Sequence, residues 1–162
     1  MEYRVGDNVV HPIHGVGRIA AIGKKRLTGE ERTYYEVVTP KTTLWVPIDS
    51  SQAVGLRRLT PKLDLPSYRR VLKSRPLVLD DDRTKRRTEL TERMKDSSFQ
   101  ALCEIVRDLT ASGRRKPLGT ADATLLKRAH DHLSEEWASA DGITIAAASE
   151  EIDALILDSS RS

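Results

Sequence analysis

The spacing of hydrophobic and polar positions changes once along this chain. Up to about residue 60, apolar residues come in short runs rich in β-branched and aromatic types, separated by glycine, proline and polar turns. Residues 8–12 read as a strand ended by Pro12, and 15–22 as a second strand opened by Gly15 and Gly17. A hairpin turn at 28–31 leads into strands at 33–38 and 42–47, and 54–57 reads as a short closing strand. Short strands at even spacing with glycine at the corners predict a small five-stranded β-barrel. From about residue 65 the period becomes helical. Pro66 opens a short helix over 67–72, and 85–94 forms a second with Leu90 and Met94 one turn apart. A third helix, capped by Ser97 or Ser98, carries Phe99, Leu102, Ile105, Val106 and Leu109 on one face and stops at Ser112 and Gly113. A fourth starts at Thr120, aligns Leu125, Leu126, Ala129, Leu133 and Trp137, and ends at Gly142; a fifth runs from about Thr144 with Ile145, Ala148, Ile152, Leu155 and Ile156. Amphipathic helices with short connections predict a compact all-α bundle. The fold class is therefore α+β in two domains, over 1–60 and 67–162, joined by a linker at 61–66 that holds Pro61, Asp64 and Pro66.

Composition narrows the classes. With 162 residues, 38% hydrophobic and 31% charged, the chain can build two modest cores and is too patterned to be disordered. Its one cysteine, Cys103, falls on the apolar face of the third helix and reads as a small core residue. The opening residues are polar or charged and run directly into strand, and no apolar run is long enough to span a bilayer, so a cytoplasmic protein is expected.

A net charge of +3 conceals an asymmetry. Between 60 and 95 basic residues dominate, with Arg69 and Arg70 on one predicted helix and Lys85, Arg86 and Arg87 on the next; Arg114, Arg115 and Lys116 add a basic loop. From 131 onward Arg161 is the sole Lys or Arg against eight acids, among them Glu135, Glu136, Glu150, Glu151 and Asp153. A charged run is often just a solvated helix face. The functional alternative is a phosphate-binding surface, in which Lys85, Arg86 and Arg87 beside Arg69 and Arg70 follow one DNA backbone.

Other chemistry finds little support. His11 and His14, or His130 and His132, have no further ligands at zinc-site spacing. The Gly15-Val16-Gly17 run is followed by a strand, where a dinucleotide fingerprint needs a helix and a third glycine. No acid, base and nucleophile cluster in sequence, so neither an enzyme nor a cofactor is expected.

The run from Tyr3 to Gly17, Tyr-Arg-Val-Gly-Asp-Asn-Val-Val-His-Pro-Ile-His-Gly-Val-Gly, resembles the N-terminal signature of the CarD/CdnL family of bacterial transcription regulators. Trp45-Val46-Pro47 followed by Val54-Gly55-Leu56-Arg57 resembles a second family block, and Ile105 to Leu109 a third. Together they span nearly the whole chain. The resemblance implies a Tudor-like N-terminal barrel that binds the RNA polymerase β subunit, a module shared with transcription-repair coupling factors. It also implies a helical domain that meets promoter DNA, largely without sequence specificity, near the upstream edge of the bubble and modulates open-complex stability. Lys25, Trp45 and Pro47 are the implied polymerase-binding residues, with Trp45 where the family often has arginine. Lys85, Arg86 and Arg87 match the family's phosphate-contacting run, with Arg83, Arg69 and Arg70 added as DNA-binding candidates. The family's wedging tryptophan is absent: 80–84 reads Asp-Asp-Asp-Arg-Thr, and Arg83 is the candidate to enter a narrow minor groove in its stead. Three aspartates would repel phosphate, which turns that segment away from DNA. The protein is expected to act as a monomer, nucleoid-associated through polymerase. In the alternative reading it is a polymerase-bound adaptor whose helical domain contacts another protein.

Overall fold

The computed structural model describes residues 2–51, 54–95 and 98–159 and divides into two compact units, Met1–Leu59 and Thr60–Ser162. The first unit holds β1 (Asn8–His11), β2 (Gly15–Lys25), β3 (Arg32–Val38), β4 (Thr43–Pro47) and β5 (Arg57–Arg58). All neighbouring pairs are antiparallel, in the order β4-β3-β2-β1-β5. No ladder joins β4 to β5 among the described residues, so the expected barrel is present as an open five-stranded sheet. The reason lies at 54–57, expected to be strand throughout. Gly55 sits in the left-handed region with φ 84°, so Val54 and Gly55 make a turn, and β5 keeps two residues, too few to close a barrel.

One face of the sheet buries Val9, Ile19, Tyr35, Val37 and Val46 with Tyr3 and Leu56. The Tyr3 hydroxyl donates to the Leu56 carbonyl at 3.1 Å, and its ring meets Tyr35 edge-on at 5.4 Å. Burial is the main cause that raises the Tyr3 phenol above its ordinary pKa. The glycines of the first signature have separate duties. Gly15 supplies a positive φ of 77° at the β1–β2 turn. Gly17 is needed for closeness, because a Cβ there would lie 2.9 Å from Val37 Cγ1 and 3.0 Å from the Val38 carbonyl oxygen. Backbone cannot yield as a side-chain tip does, so Gly17→Ala is expected to destabilise this unit by about 1–3 kcal/mol. A unit this small should lose roughly 4–8 °C of Tm per kcal/mol, read from Trp45 fluorescence on heating; an unchanged transition would contradict it.

The second unit holds α1 (Leu65–Lys73), α2 (Arg83–Lys95), α3 (Phe99–Arg115), α4 (Thr120–Asp141) and α5 (Ile145–Ser159). Between 61 and 66, Lys62–Asp64 forms a 3-10 turn and Leu65, fully buried, opens α1. Most positions of the predicted apolar stripes make one core: Leu72, Leu90, Phe99, Cys103, Ile105, Val106, Leu109, Leu133, Trp137, Ile152 and Ile156 are all buried there, Leu102, Leu125, Leu126 and Leu155 are partly buried against it, and Ile145 is exposed. Ser98 caps α3 by accepting from the Ala101 amide at 3.0 Å; Ser97, the other candidate cap, lies outside the described residues. α3 runs past its expected stop at Gly113 to Arg115, because Gly113 is where the chain returns: a Cβ there would lie 3.2 Å from Leu118 Cγ. Gly142 ends α4 with φ 72°, as expected.

Two buried carboxylates fix backbone. Glu136 accepts from the amide and hydroxyl of Thr60 at 3.1 and 2.7 Å. Asp108 accepts from the Leu77 amide at 3.0 Å, Arg107 Nε at 2.9 Å and Arg93 Nη2 at 2.8 Å, and Arg107 donates to Ser74 Oγ at 2.7 Å. The Ile105–Leu109 block is thus apolar core plus an ionic clasp on the segment between α1 and α2. Among the described residues no helix is long and apolar enough to cross a membrane.

Candidate functional site

Two surfaces gather the candidate residues, one in each unit. In the sheet, Glu36 stands opposite Trp45, Tyr34 opposite Pro47 and Arg32 opposite Lys25. Paired residues share a face, and so do alternate residues of one strand. Lys25, Trp45 and Pro47 therefore lie on a single face around the buried Tyr34. Lys25 reaches across β3 to place Nζ 3.6 Å from the centroid of the Trp45 ring, an attraction of a cation to the ring's negative face. Arg32 closes the patch by an ion pair to Asp49 at 2.7 Å. Trp45 is thus held by its own neighbour, a preordered aromatic plate on a half-exposed sheet face.

In the helical unit, a cleft of about 1200 Å³ opens between the start of α2 with residues 78–81 and the end of α3 with the following loop. Arg83 and Arg87 line one wall; Arg115 and Lys116 line the other. All four are exposed. Arg83 and Arg87 are four residues apart, hence on one side of α2. Lys85 is exposed on the same helix but does not line the cleft.

Of the remaining candidates, Arg86 and Arg69 are engaged within the protein, although Arg86 also borders the cleft. Arg86 donates from Nε to Asp122 Oδ2 at 2.9 Å and from Nη1 to the carbonyls of Asp80 and Asp81 at 3.0 and 3.3 Å. Arg69 pairs with Glu151 at 3.1 Å and Asp141 at 3.6 Å and lies 5.6 Å from the Trp137 ring centroid. Trp137 in turn donates Nε1 to Glu151 at 3.1 Å. Arg70 is exposed on α1, and neither it nor Arg69 lines the cleft. The arginines of α1 and the basic run of α2 are therefore not neighbours on one cleft wall; the α3–α4 loop takes that place.

The aspartate triplet also has a local purpose. Asp82 Oδ1 accepts from the Lys85 amide at 3.0 Å, an N-cap that starts α2 two residues before its expected beginning. Asp80 Oδ1 accepts from the Asp82 amide at 2.8 Å. Asp80 and Asp81 line the cleft, contrary to the expectation that they face elsewhere. No aromatic side chain lines it; Val78, 75% exposed, Leu79, Pro117 and Leu118 are among its apolar lining.

His11 and His130 have local partners. His11 Nδ1 accepts from the amides of Ile13 and His14 at 3.1 and 3.3 Å, and burial, then His14, holds its imidazole below the usual pKa. His130 bridges Asp153 at 2.8 Å and Ser134 at 3.4 Å. Among the described residues no three His, Cys, Asp or Glu side chains converge as metal ligands.

Comparison with known proteins agrees with these surfaces lying in two separate modules. Residues 3–60 match the CarD-like/TRCF RID domain and residues 68–153 match the CarD C-terminal domain. The chain is similar to YdeB of Bacillus subtilis (strain 168), a candidate transcription factor, at 29% identity over 148 residues, covering 88% of this chain and 94% of that one. It also matches the solution structure of the 72-residue N-terminal domain of Myxococcus xanthus CarD at 33% identity, over 34% of this chain and 76% of that one, with a TM-score of 0.30 too low to bear on the fold. With the second family model alone covering more than half of its length, and the first adding the sheet, the chain belongs to the CarD/CdnL family of transcription regulators.

Proposed function

We propose that this protein is a non-enzymatic regulator that binds the RNA polymerase β subunit with the Lys25–Trp45–Pro47 face and promoter DNA with the cationic cleft. It acts as a monomer at the nucleoid and shifts the stability of the open complex. The observation that carries the DNA reading is the meeting of Arg83 and Arg87 with Arg115 and Lys116 across one cleft. Four exposed cations on two walls suit the backbone of a nucleic acid, whose regularly spaced phosphates give affinity without reading sequence. Lys85, beside them on α2, and Arg70 on α1 extend the positive surface. The cleft's lack of aromatic side chains favours phosphate contacts over the unstacking of bases. The sheet face supports the polymerase reading, because an aromatic plate ordered by a stacked cation is a common anchor of protein interfaces.

Binding to upstream-fork promoter DNA across a salt series tests the DNA reading. Tight binding at low salt is expected, with log K falling linearly in log salt. Absence of binding at low salt would instead leave the adaptor reading, with the helical unit facing another protein. Trp45→Ala and Lys25→Ala are expected to weaken binding to the β subunit by roughly tenfold or more, the loss typical of an interface anchor, and to leave DNA binding intact. Wild-type affinity for polymerase in both variants would move the contact to another face.

A further inference from the structure

We infer that Arg86 is a positioning residue rather than a phosphate ligand, and that with Asp122 it sets the spacing of the two cleft walls. The inference rests on the DNA reading of the cleft. Arg83, Lys85 and Arg87 project into solvent, whereas the Arg86 side chain keeps 19% of its surface exposed. Its guanidinium is shared among three segments: the turn before α2 through the carbonyls of Asp80 and Asp81, α2 itself, and the first turn of α4 through Asp122. The Asp122 side chain is only 12% exposed, and the N-cap of α4 is Gly119, which gives no side-chain cap. Asp122 lies in the first turn of α4, just past the short connection from Arg115, at the end of α3, and Lys116. One planar fork therefore links the wall holding Arg83 and Arg87 to the wall holding Arg115 and Lys116.

Two physical points make this role exclusive of phosphate binding. Swinging Arg86 out to a phosphate would strand a nearly buried carboxylate without its cation, which is a costly state. A lysine would keep the charge but has no rigid fork to satisfy one carboxylate and two carbonyls at once. Conservation of charge and conservation of geometry thus give opposite expectations at this position.

The test uses full-length protein with Arg86→Lys, Asp122→Asn, their double variant and Arg87→Ala, assayed on upstream-fork promoter DNA at low salt. Amide hydrogen exchange is followed at residues 80–83 and 120–124 without DNA. Asp122→Asn removes a negative charge from the cleft, so if Arg86 were a phosphate ligand this change would tighten DNA binding. The positioning role predicts the reverse: Asp122→Asn and Arg86→Lys each weaken binding by roughly tenfold, the factor carried by one charge-assisted hydrogen bond. The double variant should be no weaker than the worse single one, because both break the same tie. Exchange should accelerate on both walls in these variants and stay as in the wild type for Arg87→Ala, which loses affinity by losing a contact. Asp122→Asn binding as tightly as the wild type or tighter, or Arg86→Lys retaining full affinity, would overturn the inference. If the wild type does not bind DNA at all, the DNA reading fails by itself. Exchange then still judges the tie, and unchanged protection on the two walls in Arg86→Lys would overturn that as well.

Discussion

Replacing Trp137 by alanine should remove about 3–5 kcal/mol from the helical unit, the range for truncating a large aromatic in a packed core. Trp137 is 0% exposed, with Phe99 at 5.9 Å between ring centroids and Arg69 over its face. Its indole nitrogen also donates to Glu151. Truncation therefore leaves a cavity and removes one donor from a carboxylate that bridges α4 and α5. Against a typical total of about 5–15 kcal/mol, such a loss takes a large share of the stability. The helical transition, followed by far-UV circular dichroism, should fall by roughly 15 °C or more. Trp45 is the only other tryptophan, so the fluorescence of the variant reports the sheet unit alone. Trp137→Phe should cost far less, since it keeps most of the volume and gives up mainly the hydrogen bond. A helical transition unmoved by Trp137→Ala would contradict a packing role for this side chain in the helical core.

The second large effect is on DNA binding and comes from either cleft wall. Changing Arg83, Lys85 and Arg87 together to alanine should reduce the slope of log K against log salt by about 2.7, at roughly 0.9 per phosphate contact on duplex DNA. At low salt the affinity should fall by about a hundredfold or more. Changing Arg115 and Lys116 should reduce the slope by about 1.8 on the same basis. The second variant is the sharper of the two, because these residues are distant in sequence from the basic run of α2 and meet it only through the fold. If the α3 wall can be neutralised without effect while the α2 wall cannot, DNA lies on the outer side of α2 and the cleft is not its seat.

The strands and helices are largely legible from periodicity, since Ala129, Leu133 and Trp137 fall on one buried stripe and Val9, Ile19 and Val37 point inward. The misses share a physical cause. Gly113 resembles a helix stop, yet the helix continues because Leu118 fills the space a side chain would need. Residues 54–57 have strand composition, but the turn at Gly55 overrides it. The candidate DNA residues were found by type and were sorted only by their partners. Arg69 and Arg86 look the same in sequence as Arg70 and Arg87, and nothing local announces that Glu151 and Asp122, 82 and 36 residues away, hold them. Arg115 and Lys116 were visible as a basic loop, but their place opposite α2 is a tertiary fact. The Asp80–Asp82 run did carry a readable signal: an aspartate three residues before Lys85 is a helix N-cap pattern.

Both surfaces bear on a single quantity. A protein that binds one promoter state more tightly than another shifts the population by that difference in affinity. The most direct measurement is the lifetime of the open complex formed by cognate polymerase, with and without this protein. Wild-type protein is expected to change that lifetime, and the effect should vanish both in the Arg83/Lys85/Arg87 triple alanine variant and in Trp45→Ala, the first by loss of DNA contact and the second by loss of polymerase contact. An identical lifetime with and without the wild-type protein, or a triple variant as active as the wild type, would contradict the joint role of the cleft and the sheet face.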